Sequence, residues 1–179
     1  MTGARRAAAI AAGVVLVVTG AVHLGGRALD GRVAAATSGG SEGRAASVVS
    51  GIGPAASPFT GLTAGTIRVG GRPLDVVVAD RLGERIQGLR GRADAAPYAG
   101  MLFVFPDDTT TAFTMAGVPD ALEIAFFDSR GRRVDALRME PCAGTDATCP
   151  VYESSAPFRF TLETAPGEMP GGRLRVRRG

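Results

Sequence analysis

Three regimes of hydrophobic patterning divide the chain. Residues 7–26 carry no charge, and their centre, AAGVVLVV, is apolar all round. That pattern suits a helix facing lipid rather than one lying on a protein surface. About 20 helical residues cross a ~30 Å hydrocarbon layer, so the run predicts a transmembrane or signal helix over residues 1–26. Residues 27–57 are Gly, Ser and Ala with scattered Arg and no aromatic side chain. Such a stretch buries too little apolar surface to offset the entropy of ordering it, and reads as a flexible linker. All ten aromatic residues fall between Phe59 and Phe160, so a packed domain is expected over residues 58–179.

Within that domain the period is mostly two. Thr66–Val69 and Leu74–Ala79 flank Gly70-Gly71-Arg72-Pro73 and predict a hairpin. Asp80 then suits a helix N-cap, and Leu82, Ile86 and Leu89 share one helical face. Gly88 and Gly91 keep this helix short, at about 80–90. Gly100–Phe105 is a continuous apolar strand, which Pro106-Asp107-Asp108 turns toward Thr110–Met115. Ala121–Phe127 and Val134–Met139 flank Asp128-Ser129-Arg130-Gly131, a second tight-hairpin sequence. Phe158, Phe160 and Leu162 alternate with Arg159, Thr161 and Glu163, and Leu174 and Val176 alternate with arginines. Short strands separated by turns predict a mainly β fold: an antiparallel β-sandwich, jelly-roll-like, or a partly closed barrel, with one short helix. No internal repeat is visible.

Charge refines the topology. Arg5 and Arg6 precede the apolar run and place the N-terminus in the cytoplasm and the domain outside it. A cleaved leader needs a small-x-small site close behind its apolar core. The best one, Ala34-Ala35-Ala36, lies beyond Arg27, Asp30 and Arg32. An uncleaved anchor in the cell membrane is therefore the preferred expectation, and secretion after cleavage the alternative. The formal net charge is +3, but residues 58–179 hold fifteen arginines against fifteen acids. A body with that balance lacks the net positive charge that drives binding to a phosphate backbone, so no nucleic-acid partner is expected. Four arginines crowd the last seven residues. They read as a charged edge strand, or as a patch for anionic lipid or an acidic partner.

Composition then restricts the chemistry. There is no lysine, and the one histidine, His23, lies in the apolar leader. The domain is thus without Ser-His, Cys-His or His-ligated zinc chemistry. Cys142 and Cys149 lie outside the membrane on this topology, where disulfides persist, and a metal site would lack further Cys or His ligands. A disulfide is the expected state, since a redox pair has CxxC spacing. No metal or cofactor is expected. Asp107, Asp108 and Asp128 sit on turn signals without EF-hand spacing, so turn solvation accounts for them better than Ca²⁺ does.

Several of these segments recur together elsewhere. ERIQGLRGR (residues 84–92), GMLFVF (100–105), AFTM, LEIAFFDSRGRRV, MEPC…CPVY and FTLETAPG occur here in order. Their order and spacing, over residues 66–176, resemble the uncharacterised family called domain of unknown function 192. The resemblance implies a mainly β, jelly-roll-like domain, often behind a signal or anchor, and no established activity. Family members often read Phe-Trp-Met, a basic residue and Asn, then Pro-Leu-Asp. This chain has Phe113-Thr114-Met115-Ala116-Gly117 and Ala121-Leu122-Glu123 instead, which would blunt a recognition patch formed by those positions.

The polar residues inside these segments, Arg85, Arg92, Glu123 and Glu163, are the candidate binding residues, with Phe113 and Met115 as an apolar wall. Arg85 and Arg92 lie two helical turns apart and face the same way if the helix persists. Glu123 and Glu163 lie in strands, and a helix over their face would require arginine–glutamate pairs. The expected function is a non-catalytic binding or accessory module of the cell envelope. It meets the membrane through its N-terminal helix and takes an envelope protein or a small polar ligand. The alternative is a carboxylate-based hydrolase of an envelope polymer or sugar, with Glu123 and Glu163 as its acid–base pair.

Overall fold

The computed structural model describes residues 44–177. The predicted N-terminal helix and residues 27–43 of the predicted linker lie outside the described residues. Among those described, no helix is long and apolar enough to cross a membrane. The elements are β1 (Ser50–Pro54), β2 (Thr63–Val69), β3 (Arg72–Ala79), α1 (Leu82–Gln87), β4 (Gly100–Thr109), β5 (Phe113–Thr114), β6 (Leu122–Phe127), β7 (Arg133–Met139), β8 (Val151–Tyr152) and β9 (Phe158–Thr164).

Strands β1-β2-β3-β4-β9-β6-β7, in that order, form one mixed sheet, and β5 pairs with β8 apart from it. This corrects the expected antiparallel sandwich or partly closed barrel. The fold is mainly β with one short helix, but β3 and β4 run parallel, Val76 beside Gly100 to Ala79 beside Phe103. Parallel neighbours need a long crossover, and residues 80–99, which carry α1, supply it. The period-two pattern reports which residues alternate along a strand and says nothing of the direction of its neighbour.

Both predicted hairpins form. β2 and β3 pair from Thr63–Val78 to Val69–Arg72, with Gly70 and Gly71 at φ 57° and 87° in the turn. β6 and β7 pair antiparallel after Gly131, at φ 75°. The predicted turn at Pro106–Asp108 is instead an irregularity inside β4, between the Val104–Phe160 and Thr109–Phe158 pairs. Pro106 has no N–H to give the ladder, so the strand bulges there and then resumes. Of the predicted strand over residues 110–115, only Phe113–Thr114 pairs.

The ordered body also begins ahead of its aromatic content. Ala45, Val48 and Val49 are buried, and β1 pairs with β2, all inside the stretch that composition assigns to the linker. Most β1 side chains are exposed. Its place is held by the backbone ladder, which composition does not register.

Register sorts the core into two faces. Val77, Met101, Phe103, Ile124 and Phe126 belong to one buried cluster. Val76, Leu102, Ala125, Phe127 and Leu162 belong to the other. The crossover, β5, β8 and the cysteine loop cover the first face. Residues 45–49 and the C-terminal segment cover the second, where Leu174 is fully buried and bridges to Val69. That segment is tied by the amides of Leu174, Arg175 and Arg177, which donate to the carbonyls of Gly131, Arg68 and Ser47. A Cβ on Gly131 would collide with the Leu174 carbonyl, so the turn and the segment depend on that glycine.

Cys142 and Cys149 form a disulfide with a Cα–Cα separation of 5.8 Å. Closing this loop restricts the unfolded chain, an effect of about 2.5 kcal/mol for a loop of this length. Replacing both cysteines by serine is expected to lower unfolding stability by about that amount in urea titrations. A loss below about 0.5 kcal/mol would show the loop to be equally ordered without its staple.

Candidate functional site

A pocket of about 270 Å³ opens on the first face, between α1 and the sheet. Each wall comes from a different element. β4 presents Phe103 and Phe105, every second residue and hence the same side. β5 adds Phe113, whose ring meets Phe103 at 5.4 Å and Phe105 at 6.3 Å in edge-to-face contacts. α1 and the turn after it contribute Arg85 and Arg90, the cysteine loop contributes Asp146, and β9 contributes Glu163.

The helix does not pack as predicted. Its N-cap is Arg81 rather than Asp80, and the Glu84 carboxylate accepts the backbone N–H groups of Asp80 and Arg81. Leu82 and Ile86 are 67% and 63% exposed, so only Leu89 of the predicted apolar face reaches the core. A six-residue helix on a crossover has its direction fixed by the strands it joins, not by its own moment. Asp80 is left partly buried beside Glu84, and burial first and that neighbour second raise its pKa.

Glu163 is 6% exposed and sits beside Met101 and Ile124 in the ladder, an acid among core residues. No hydrogen bond or ion pair engages its carboxyl among the described residues. Burial alone pushes its pKa up to about 8. Around neutrality the group is therefore largely a neutral acid, able to donate one hydrogen bond. On the same face, two residues along β9, the Thr161 hydroxyl is buried without a partner. Such orphaned polar atoms are uncommon in interiors.

The two pocket arginines differ. Arg90 donates from Nη1 to the Ala116 carbonyl and from Nη2 to Asp146, both at 2.6 Å, and from Nε to the Ile86 carbonyl. All its nitrogens are engaged, and it ties the cysteine loop to the crossover. Arg85 donates from Nη1 to the carbonyls of Asp80 and Val104, and its guanidinium lies 5.2 Å from the Phe105 ring centre. Its Nε and Nη2 make no hydrogen bond among the described residues.

Of the six sequence candidates, the pocket gathers Arg85, Phe113 and Glu163. Arg92 lies beyond the end of α1, so the two-turn spacing to Arg85 does not apply. It donates to the Pro58 carbonyl at 2.9 Å and covers the Phe59 ring at 4.7 Å, fastening the crossover to the segment before β2. Met115 is 1% exposed and belongs to the core. Glu123 is on the other side of the sheet. Ile124, not Glu123, pairs with Glu163, while Glu123 pairs with Thr164 and with Arg138. The two glutamates thus face opposite ways, and the expected acid–base pair shares no cleft. The expected arginine–glutamate ion pairs are also absent from Glu163.

Phe103, Phe105, Arg90 and Asp146 were not singled out from sequence. The alternation of Phe103 and Phe105 was the available signal, but it reads equally as core. Asp108 pairs with Arg159 at 3.0 Å and Asp128 with Arg132 at 3.2 Å. Among the described residues no group of three or more His, Cys, Asp or Glu is placed to hold a metal ion.

Comparison with known proteins gives a consistent frame. The family model DUF192, described as uncharacterized ACR, matches residues 65–176. No curated protein matches. A crystal structure of a Sinorhizobium meliloti 1021 protein, provisionally named a transcription regulator, is similar at 27% identity and TM-score 0.50. It covers 62% of this chain and 89% of its own. A protein of unknown function from Novosphingobium aromaticivorans DSM 12444 shares the fold at 19% identity and TM-score 0.56, over 75% of this chain and 96% of its own.

Proposed function

The chain belongs to the DUF192 family of uncharacterized proteins, and from that premise we propose that it is a non-catalytic binding module. Its pocket takes a small molecule with an apolar ring or branched body and an oxygen acceptor. The observation that carries this reading is Glu163: a buried acid with no partner among the described residues, at a pocket walled by three phenylalanines. Leaving such a group unpaired costs stability, and a ligand acceptor would satisfy it. The unengaged nitrogens of Arg85 supply a second donor and favour an anionic acceptor such as a carboxylate. Phe103, Phe105 and Phe113 would hold the apolar part. The hydrolase alternative has no support in this geometry, because Glu123 lies on the far face.

We place this module on the outer side of the cell membrane, held by the N-terminal helix or released after cleavage. The apolar leader behind Arg5-Arg6 and the Cys142–Cys149 disulfide support that location.

The test is a thermal-shift comparison on the full chain at pH 6.5 with benzoate, benzamide and benzylamine. A probe at 100 times its dissociation constant adds about 2.7 kcal/mol, which is several degrees for a domain of this size. Benzoate is expected to shift Tm most and benzylamine least, with the benzoate shift lost in Arg85→Met and Glu163→Met. A shift from benzylamine alone would reverse the assigned polarity. No shift from any probe, with both variants folded, would overturn the pocket as a site.

A further inference from the structure

The C-terminal segment carries a second surface. Leu174 and Val176 turn into the core, so Arg173, Arg175 and Arg177 alternate outward. Arg175 and Arg177 line one cleft with Arg68 of β2, and Arg175 and Arg173 line another with Arg130 of the β6–β7 turn. Because Arg175 belongs to both, the two clefts adjoin and collect five arginines in one strip. No acidic side chain lines either cleft.

The ion pairs among the described residues take Arg72, Arg81, Arg90, Arg132, Arg138 and Arg159, and none of these five. The hydrogen bonds from the strip's side chains go to neutral oxygens: Arg68 to the Gly71 carbonyl, Arg173 to the Arg130 carbonyl and Arg177 to the Ser50 hydroxyl. Residues 58–179 hold fifteen arginines against fifteen acids in all, so gathering five of those arginines where none makes an ion pair among the described residues concentrates positive charge and suits an extended anionic surface.

A few residues after the described body begins, the chain passes beside this strip. Ser50 lines the first cleft, and the Arg177 amide donates to the Ser47 carbonyl. Residues 27–43 span at most about 60 Å when fully extended, which keeps a body anchored by residues 7–26 near the bilayer. We propose that the strip Arg68–Arg130–Arg173–Arg175–Arg177 docks the domain on the phosphate headgroups of the anionic lipid surface into which its own leader inserts. The pocket shares no lining residue with either cleft. A polybasic patch gains affinity from such lipids within a Debye length of the surface. Nucleic acid offers similar phosphates, but the leader and the disulfide favour a compartment without it.

The inference rests on the membrane location proposed above, and one experiment separates the two. The full chain is reconstituted into phosphatidylcholine vesicles with or without phosphatidylglycerol, and phenylglyoxal modification of each arginine is followed by mass spectrometry. Anchoring is read independently by resistance to alkaline carbonate extraction. Labelling of Arg68, Arg173, Arg175 and Arg177 is expected to slow by about tenfold or more when phosphatidylglycerol is present. It should recover in high salt, while Arg81 on the crossover stays unchanged. Arg175→Gln should restore labelling of Arg68 and Arg173 without altering carbonate resistance. Equal labelling in both vesicle types overturns the docking. So does equal protection by inorganic phosphate or by a DNA duplex with phosphatidylcholine alone. Carbonate extraction of the unaltered chain would overturn the anchor, while flotation with the anionic vesicles would still decide the strip.

Discussion

Glu163→Gln is expected to make the domain more stable than the unaltered protein at pH 9, and to remove most of the pH dependence of stability between pH 5 and 9. The unfolded glutamate titrates near its ordinary value of 4.5, whereas in the folded protein burial raises it to about 8. Between those values the folded state keeps a proton that the unfolded state has lost. Stability from this group is therefore fully present below about pH 4.5. It falls by up to ~1.4 kcal/mol per pH unit as pH rises toward 8, and then levels. The full effect is several kcal/mol, a large share of the stability of an ordinary domain. Glutamine keeps the shape, stays neutral and does not titrate. Asp80 is raised in the same sense but is only partly buried, and Asp135 is lowered by its bonds to Ser155 and acts only in acid. Urea titrations of both proteins at pH 5, 7 and 9 decide the matter. Parallel stability curves would mean that Glu163 ionises in the fold as easily as in the unfolded chain.

Phe158→Ala should cost about 3–5 kcal/mol, the usual range for emptying a buried phenylalanine site. Phe158 is fully buried where β9 begins. Its ring lies 4.8 Å from Phe126, 5.4 Å from Phe105 and 6.2 Å from Phe113. Two of those partners wall the pocket, so the void would also loosen the apolar seat of a ligand. The expected signature is a lower urea midpoint with an unchanged slope. Phe158→Leu, which refills much of the space, should lose less than half as much. A loss under about 1 kcal/mol for the alanine variant would show that the aromatic cluster closes around the gap.

The local grammar of the fold was legible in the chain. Gly70-Gly71 and Asp128–Gly131 specify hairpins because only certain residues adopt the turn geometries, and both form as read. What could not be read was pairing between distant strands. The parity of Glu163 against Glu123 depends on whether Glu163 meets Ile124 or its neighbour, and a slip of one residue reverses every side chain. Alternation held along β6, and along β9 from Phe160 to Glu163, but Phe158 joins the first cluster beyond the β4 irregularity, and the two glutamates part across the sheet. Leu82 and Ile86 misled for a related reason: i, i+4 spacing marks a helical face, but the crossover decides which way that face turns. The disulfide was legible from cysteine number and topology, whereas the placement of Asp146 on the pocket needed the loop's contact with Arg90.

The order of strands has a consequence for how the chain is made. β9 is the last strand to be synthesised, yet it lies in the middle of the sheet, between β4 and β6. Until residue 164 has emerged, β4 and β6 have no shared neighbour and the sheet is two unjoined pieces. Contacts of such long sequence separation are slow to form. Closure of the whole sheet is thereby deferred until the chain is nearly complete, and premature folding on the ribosome is disfavoured.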